Sequence, residues 1–153
     1  MEKIQKQRVS YYDVYVANDG TEFNSEDECK KYDKSAEGVL NAMLSKMVVK
    51  EATEEDIFSF GGSDNPVQVL APTGDDDKKI ILQLYLLKNP HLNKEDHYHY
   101  VESASNLIDR AVKENDCLFI GRGYDRDSFW LYGTRHSMQE ELDKFCETEK
   151  KDD

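Results

Sequence analysis

The histidines of this chain are concentrated in one polar stretch. His91, His97 and His99 lie among several carboxylates, and imidazole and carboxylate groups bind zinc and other divalent ions. On a helix, His97 and His99 would point in different directions, whereas metal-binding pairs on a helix favour a spacing of four residues. On a strand they would share a face. His97 and His99 are therefore candidate metal ligands, although the sequence as a whole predicts no metal and no other cofactor.

The arginines form a second concentration of polar side chains. Four of the five fall late in the chain, at Arg110, Arg122, Arg126 and Arg135. A guanidinium group binds phosphate or carboxylate through paired hydrogen bonds, so Arg122, Arg126 and Arg135 are candidate anion-binding residues. Aspartates stand beside them at positions 125 and 127, and ion pairs within the protein explain the same clustering.

No residue carries a clear signature of a catalytic nucleophile. Cys117 opens a predicted strand, and Asp116 and His136 could activate its thiol, but no local motif of a cysteine hydrolase surrounds it. The G-x-S-x-G turn of serine hydrolases is absent. No pair of carboxylates has an apolar context suited to acid–base catalysis. The sequence therefore favours a protein that is not an enzyme.

Acidic residues outnumber basic ones by 32 to 20, so the formal net charge is 20 − 32 = −12. Such a surface repels nucleic acid and anionic membranes and attracts basic partners. The candidate partner-binding residues form four clusters: Glu26, Asp27, Glu28, Glu54, Glu55, Asp56, Asp75, Asp76, Asp77, Glu140, Glu141 and Asp143. Carboxylates on a rigid scaffold can imitate a nucleic-acid backbone and occupy a basic groove. The same acidic residues can be explained without a partner, because carboxylates stabilise helix starts and keep the protein soluble.

The cysteines and the N-terminal residues bear on the cellular compartment. The 3 cysteines are widely spaced and form no C-x-x-C motif, which indicates free thiols in a reducing compartment. The residues after Met1 are charged and polar, so no secretory signal is expected. The longest apolar run is too short to cross a bilayer. The sequence thus predicts a cytoplasmic protein that binds no membrane.

The most apolar segment of the chain is Ile80 to Leu87. Apolar side chains occupy both of its period-two faces, which predicts an interior strand covered on both sides. An acidic turn at Gly74 to Asp77 would precede the strand, and Asn89-Pro90 would end it. Val67 to Leu70, a short predicted strand, would pair with it as a hairpin.

The residue pattern of the N-terminal part predicts a hairpin. Val9 to Ala17 is rich in β-branched and aromatic residues and is predicted as a strand. Asp19-Gly20 predicts a tight turn in which both central residues have positive φ. Thr21 to Phe23 would be the return strand.

Two helices are predicted after this hairpin. Ser25 and Glu28 have the spacing of a capping box, and an apolar stripe continues from there to Met47 as one helix. Cys29 falls on this stripe and is predicted to be a core thiol. A short helix is predicted at 54–58, followed by a flexible connection at 59–66.

The C-terminal part predicts a helix, a hairpin and a last helix. The first helix would begin at Asn93 and run to about Asn115. The strands would be Cys117 to Arg122 and Ser128 to Tyr132, joined by a turn at 123–127. Ser137 with Glu140 predicts another capping box, and the last helix carries an apolar stripe of Met138, Leu142 and Phe145.

Together these elements predict an α+β fold in a single domain, residues 1–153. The sheet would be antiparallel, with about five to six short strands, and three main helices would pack on it. The ends, residues 1–8 and 150–153, are expected to be frayed.

One short motif carries a resemblance to known proteins. Its residues are Tyr15, Asp19, Gly20, Phe23, Cys29, Tyr32 and Asp33, in the pattern Y-x(3)-D-G-x(2)-F-x(5)-C-x(2)-Y-D. This is similar to a hairpin-plus-helix opening of small bacteriophage and prophage proteins of unknown function, which usually carry Glu where this chain has Asp33. The resemblance implies a viral accessory protein.

Several classes of function stay open. The first is a non-enzymatic, acidic, phage-encoded binding protein that engages and inhibits a basic host or defence protein, with nucleic-acid mimicry as one mode and no direct nucleic-acid binding. The second is a small-molecule, anion- or metal-binding protein, or a small enzyme, that uses the histidines and arginines of residues 91–136. A structural or assembly component of a virion is the third. The sequence leaves the oligomeric state open.

Overall fold

The computed structural model describes residues 1–51, 67–123 and 128–151. Within these ranges the fold is α+β, as predicted. The strands are β1 Tyr15–Val16, β2 Glu22–Phe23, β3 Val48–Glu51, β4 Val67–Leu70, β5 Leu118–Gly121 and β6 Trp130–Thr134. The α-helices are α1 Glu26–Lys34, α2 Ala36–Ser45, α3 Asp75–Lys88, α4 Tyr98–Lys113 and α5 Arg135–Lys151. Two 3-10 turns, Pro90–Asn93 and Glu95–His97, connect α3 to α4.

The described strands form two antiparallel sheets rather than one. β1 pairs only with β2, and the larger sheet has the order β3-β4-β5-β6. The predicted count of five to six strands in one sheet with three main helices was therefore wrong, since the described residues form a four-stranded sheet, a two-stranded sheet and five α-helices.

The core lies on one face of the larger sheet. Its register aligns Leu70 with Leu118 and Leu118 with Thr134, and all three residues are fully buried. Residues that pair directly share a face, so these positions mark the core side of the sheet. The helices contribute Leu44 of α2, Ile81 and Leu84 of α3, and Ile108 of α4 to the same core.

The most apolar segment forms a helix, and the prediction of an interior strand at Ile80 to Leu87 was wrong. α3 runs through it, with Ile81 and Leu84 fully buried. An apolar run of this length fits a buried helix as well as a buried strand. The acidic residues predicted as a turn form the first turn of α3, where carboxylates stabilise the positive end of the helix dipole. The predicted hairpin with β4 does not form, since β4 pairs with β3 and β5.

The long helix predicted after Ser25 is divided at Ser35. Ser25 caps α1 by accepting a hydrogen bond from the N–H of Glu28, and Ser35 caps α2 by accepting one from Gly38. Gly38 permits the close approach of the two helices, because a Cβ there would overlap the carbonyl of Tyr32. The chain then enters β3, an edge strand that the sequence did not reveal.

The N-terminal hairpin is shorter than predicted. β1 and β2 pair over 2 residues each, and residues 1–14 form no strand and are exposed. Most of the strand predicted at Val9 to Ala17 is therefore absent. Gly20 has a φ of 92°, whereas Asp19 has a negative φ, so the turn is not the predicted one with two positive φ angles.

The C-terminal part follows the prediction more closely. β5 and β6 pair where two strands were predicted, and a helix follows them. α4 begins at Tyr98 rather than near Asn93, because 3-10 turns occupy the residues before it. α5 begins at Arg135 rather than at the predicted cap of Ser137. Thr134 and Ser137 instead form the box, each side-chain oxygen accepting the other's backbone N–H.

Some predictions concern residues outside the described ranges. They are the short helix at 54–58, the flexible connection at 59–66, most of the turn at 123–127 and the last two residues of the tail. Of the helices in the described part of the chain, none is both long enough and apolar enough to cross a membrane.

Candidate functional site

Helix α5 begins in a network of charged side chains that the end of α4 brings into place. Asn115 has a φ of 52°, and its N–H donates to the carbonyl of Val112 at 3.3 Å. The N–H of Asp116 donates to the carbonyl of Ala111 at 2.8 Å. These two bonds define a Schellman motif, in which asparagine tolerates the left-handed conformation. The turn places Asp116 beside the first turn of α5.

Asp116 anchors that first turn. Its side chain is 3% exposed. The carboxylate accepts the backbone N–H groups of Cys117 and His136, each at 2.8 Å. Burial alone raises the pKa of Asp116, but these donors, with the charges of His136 and Arg135, hold its pKa below the ordinary value. Asp116 therefore stays ionised as the cap of α5.

His136 brings a second carboxylate into the network. Its Nδ1 lies 3.0 Å from Oε2 of Glu114 and 3.0 Å from Oδ2 of Asp116. In the part of the chain that the structure describes, these three residues are the one group of potential metal ligands whose atoms lie within 4.8 Å of one another. The arrangement suits either a proton on Nδ1 or a divalent cation. From the sequence, Asp116 and His136 were placed beside Cys117, and His136 also among the histidines and arginines of residues 91–136, but neither was joined to Glu114. The turn at Asn115 that brings Glu114 to them has no strong sequence signal.

Arg110 extends the network to the next turn of α5. Its Nε donates to Glu114 at 3.0 Å, and its two terminal nitrogens donate to Glu140 at 3.1 and 2.6 Å. These bonds hold the pKa of Glu114 and the pKa of Glu140 below their ordinary values and raise the pKa of Arg110. Glu140, a predicted partner-binding residue, is thus paired with Arg110 of α4.

The apolar stripe of α5 is largely exposed. Leu142 is 59% exposed and Phe145 is 64% exposed, while Met138 is half-buried. α5 packs mainly on β6, near its own first turns. Since a helix turns once in 3.6 residues, Leu142 and Phe145 lie on the opposite side of α5 from Glu140. We refer to Met138, Leu142 and Phe145 as the α5 stripe.

One predicted partner-binding carboxylate, Glu141, flanks the α5 stripe, and another, Asp143, lies on the side of α5 that carries Glu140. Glu141 is one helical turn before Phe145, is exposed and lies 3.9 Å from Lys144. Asp143 is exposed and accepts a hydrogen bond from Gln139 at 3.0 Å. The exposed part of α5 therefore combines apolar and acidic groups.

The remaining candidate carboxylates lie on other helices or outside the described residues. Glu26 pairs with Lys30 at 2.8 Å, and Asp77 accepts hydrogen bonds from the backbone and the hydroxyl of Thr73. Besides Glu26, the exposed members at these helix starts are Asp27, Glu28, Asp75 and Asp76. The members outside the described residues are Glu54, Glu55 and Asp56. The described clusters thus occupy three different helices.

The candidate metal ligands His97 and His99 belong to a ring cluster at the start of α4. Nδ1 of His97 lies 2.9 Å from the carbonyl oxygen of His91. The rings of His97 and His99 lie 5.9 and 4.0 Å from that of Tyr100. Neither histidine belongs to the three-ligand group described above, and a metal role for them stays a prediction.

Arg122 is buried in a polar network. It is 1% exposed, donates to Oδ1 of Asn41 at 2.7 Å and stacks on the ring of Phe129 at 4.9 Å. Arg135, in contrast, has a side chain that is 71% exposed. Arg126 lies outside the described residues. Arg122 and Arg135 therefore have different environments, and an anion site shared by the three arginines stays a prediction.

The same polar network reaches the N-terminal hairpin, which contains part of the motif of residues 15–33. The hydroxyl of Tyr32 donates to Asp19 at 2.7 Å and accepts from Asn41 at 2.9 Å. Burial, together with the Asp19 carboxylate, raises the pKa of Tyr32 to about 12. Cys29 is buried, as predicted, and burial raises the pKa of its thiol. The hydrogen bonds from Tyr32 to Asp19 and from Asn41 to Tyr32 hold the hairpin against α1 and α2.

An open groove lies between α2 and α3. Its volume is about 610 Å³, and its lining is Ala36, Val39, Leu40, Gln83, Leu86, Leu87, Pro90 and Asn93. Val39 and Leu87 are 40% and 43% exposed. The groove was not predicted from the sequence, because it lies between two helices and the segment of α3 was predicted as a strand. We refer to it as the α2/α3 groove.

The chain was compared with protein-family models, with curated proteins and with solved structures. None of the three comparisons finds a match. Evidence on function therefore comes from the side chains described above.

Proposed function

We propose that this chain is a non-enzymatic binding protein that docks the α5 stripe and the flanking carboxylate of Glu141 on a basic partner protein. The observation that carries the proposal is the exposure of Leu142 and Phe145, 59% and 64%, on a helix whose other side is held by Arg110. Large apolar side chains exposed together on one helix face are typical of a helix that binds in a groove.

Different side chains would anchor the partner and determine which partner binds. Leu142 and Phe145 would enter an apolar groove of the partner, and full burial of such a side chain contributes about 1.5–3 kcal/mol. Glu141 would face a lysine or arginine at the rim, where charge directs partner choice and association rate more than affinity. The base of α5 is already ordered by Asp116 and Arg110, so less ordering entropy is lost on binding.

The partner class follows from charge and from the phage-like motif. A net charge of −12 favours a basic partner, and nucleic-acid-handling proteins present basic surfaces. The resemblance of residues 15–33 to small phage proteins makes a bacterial host or defence protein the proposed target, with inhibition as the outcome. The acidic helix starts of α1 and α3 would add negative charge around the contact.

Affinity capture from bacterial lysate tests this proposal when it compares matched variants. The test variant is Leu142→Ser with Phe145→Ser, and the control is Tyr98→Ser with Tyr100→Ser, two aromatic side chains that are 67% and 49% exposed on α4. A basic protein should be retained by wild type and by the control, lost by the test variant and captured more weakly by wild type at high salt. Retention by the test variant would refute docking through α5.

Divalent-cation binding by Glu114, Asp116 and His136 is a second candidate function. The observation that favours it is the distance of 3.0 Å from Nδ1 to each carboxylate oxygen. Neighbouring ligands of a tetrahedral zinc ion lie roughly 3.3 Å apart when the bonds are about 2.0–2.1 Å long. The three side chains would supply one nitrogen and two oxygens, and a cation there would replace the proton on Nδ1.

Zinc titration followed by thermal unfolding tests this second function. If the site binds zinc, the melting temperature of wild type should rise with zinc concentration, because a ligand that binds only the folded state stabilises it. His136→Ala should abolish the rise, and the control His97→Ala should retain it. An unchanged wild-type melting temperature, or an equal rise in His136→Ala, would exclude the site.

A further inference from the structure

The segment before β1 has the composition of a strand but forms none. Residues 9–14 are mostly β-branched or aromatic, types that favour strands. Tyr11 and Tyr12 are 93% and 78% exposed. None of residues 1–14 forms a hydrogen bond or an ion pair with another described residue. The backbone and the side chains of this segment are therefore available to another molecule.

The strand stops because the strand opposite it within the chain stops. Tyr15 pairs with Phe23, so Asp13 would lie opposite Ser25 if the ladder continued. Ser25 instead caps α1, and the chain leaves the small sheet there. Residues 9–14 thus favour a strand but have no strand opposite them. A conflict of this kind between local preference and observed structure is typical of functional segments.

β1 has an open edge on the side away from β2. Among the strands that the structure describes, β1 pairs with β2 alone. The N–H of Ala17 donates to the carbonyl of Thr21 at 2.8 Å, so the N–H groups of odd-numbered residues point toward the β2 side. If residues 9–14 continue β1, the N–H groups of their even-numbered residues point to the open edge. An open edge of this kind can pair with a strand of another protein.

Charge indicates what kind of partner suits this edge. Lys3, Lys6 and Arg8 against Glu2 give residues 1–8 a formal side-chain charge of 3 − 1 = +2, and all four are exposed. These basic side chains favour carboxylates on the partner. The net charge of −12 over the whole chain disfavours nucleic acid and anionic membranes, so the observations favour a protein.

We propose that residues 9–16 bind another protein by strand addition. A strand of that protein would pair along the open edge of β1, and carboxylates near it would contact Lys6 and Arg8. Main-chain hydrogen bonds would join the two strands, while Tyr11 and Tyr12, on opposite faces of the strand, would select the partner. This binding site is separate from the α5 stripe and goes beyond the proposed function without depending on it.

Photo-crosslinking in bacterial cells, combined with proline substitution, tests strand addition. A photoreactive phenylalanine analogue replaces Tyr11, and a discrete protein adduct, identified by mass spectrometry, is expected. Proline has no N–H, so it disrupts a strand only where that N–H is bonded to a neighbouring strand. Val14→Pro should therefore lower the adduct yield about 10-fold, whereas Asp13→Pro, whose N–H points away from the open edge, should retain it.

Charge reversal tests the predicted carboxylates of the partner. Lys6→Glu with Arg8→Glu should lower the yield of the Tyr11 adduct. The control, Lys79→Glu with Lys94→Glu, makes the same change in net charge at exposed positions on another part of the surface and should retain the yield. Equal yields from the two double variants would contradict the contact with carboxylates.

Several outcomes would refute the proposal. They are no protein adduct from position 11, adducts with nucleic acid, lipid or only a second copy of this chain, and equal yields from Val14→Pro and Asp13→Pro. Circular dichroism and thermal unfolding check that the variants fold. Both proline variants should fold as wild type does, because residues 9–14 form no hydrogen bond within the described fold.

These outcomes are separable from those of the proposed function. Leu142→Ser with Phe145→Ser should lose the basic partner and retain the Tyr11 adduct, because residues 9–16 are intact. Val14→Pro should lose the Tyr11 adduct and retain the basic partner, because the α5 stripe is intact. If one of the two partners is absent and the other is found, the site that binds the second stands alone.

Discussion

The two halves of α5 have opposite surroundings. In the first half, Asp116 accepts two backbone N–H groups, His136 lies 3.0 Å from two carboxylates, and Glu140 is held by Arg110. In the second half, Leu142 and Phe145 are 59% and 64% exposed. The titratable side chains are thus grouped where the helix is anchored, and the exposed apolar side chains are grouped where it is free.

This difference shows which side chains of α5 hold the helix in place and which are free to contact a partner. The network at the base of α5 contains histidine, aspartate and glutamate, residue types found in active sites, yet each of these three side chains takes part in holding α5 to α4. The α5 stripe contains no titratable group, and beyond half-buried Met138 its side chains Leu142 and Phe145 are exposed. We infer that the first half of α5 positions the second half.

Among the changes in and around α5, removing the anchor should have the largest effect on stability. Asp116→Ala deletes the cap of α5 and leaves two backbone donors without their acceptor, so the free energy of unfolding should fall by about 1–3 kcal/mol. Urea denaturation measures this loss. The control Asp27→Ala removes an exposed carboxylate from the first turn of α1 and should have a much smaller effect. Equal losses in the two variants would contradict the anchoring role.

Acid should weaken the anchor in a defined range of pH. Asp116, Glu114 and Glu140 have pKa values below their ordinary values in the folded state, so the unfolded chain binds protons first as the pH falls. Their contribution to stability should be complete above about pH 4.5 and should be lost progressively below it. Denaturation at a series of pH values should show this decline, and a shallower decline in Asp116→Asn than in wild type. Parallel curves for both proteins would contradict it.

The ion pair between α4 and α5 should have a smaller effect. Arg110 and Glu140 have side chains that are 31% and 56% exposed, and partly solvated pairs contribute little. A double-mutant cycle of Arg110→Ala and Glu140→Ala should give a favourable coupling free energy that decreases with salt. A coupling of zero at low salt would show that Glu140 is not held by α4.

The free half of α5 should contribute least to stability. Leu142→Ser with Phe145→Ser should change the free energy of unfolding by no more than about 0.5 kcal/mol for each site, because exposed side chains are replaced. Buried Ile108→Ala of α4 is the contrasting core variant and should cost about 2–5 kcal/mol. A large loss in the α5 variant would mean that the stripe serves the fold.

The sequence predicted local elements better than their packing. The strands β5 and β6, the cap at Ser25 and the stripe of α5 all follow from patterns within a few residues. Ile80 to Leu87 was assigned to the wrong element because apolar residues on every side are compatible with a strand and with a buried helix. The pattern of Met138, Leu142 and Phe145 predicted a helix face, but periodicity does not reveal whether a neighbour covers that face.

The candidate site was less predictable than the fold. Glu114, Asp116 and His136 meet because the left-handed turn at Asn115 reverses the chain, and such a meeting depends on tertiary structure. Arg122 was a candidate for anion binding by residue type, whereas its burial against Phe129 depends on the packing of α2 on the sheet.

Site-specific photo-crosslinking in bacterial cells tests the central claim most directly. A photoreactive phenylalanine analogue replaces Phe145 in one version of the chain and Tyr98 in another. Docking through α5 predicts a discrete adduct between position 145 and a basic protein, identified by mass spectrometry, and no such adduct from position 98. The same adduct from both positions, or adducts from position 145 that contain only a second copy of this chain, would contradict the claim.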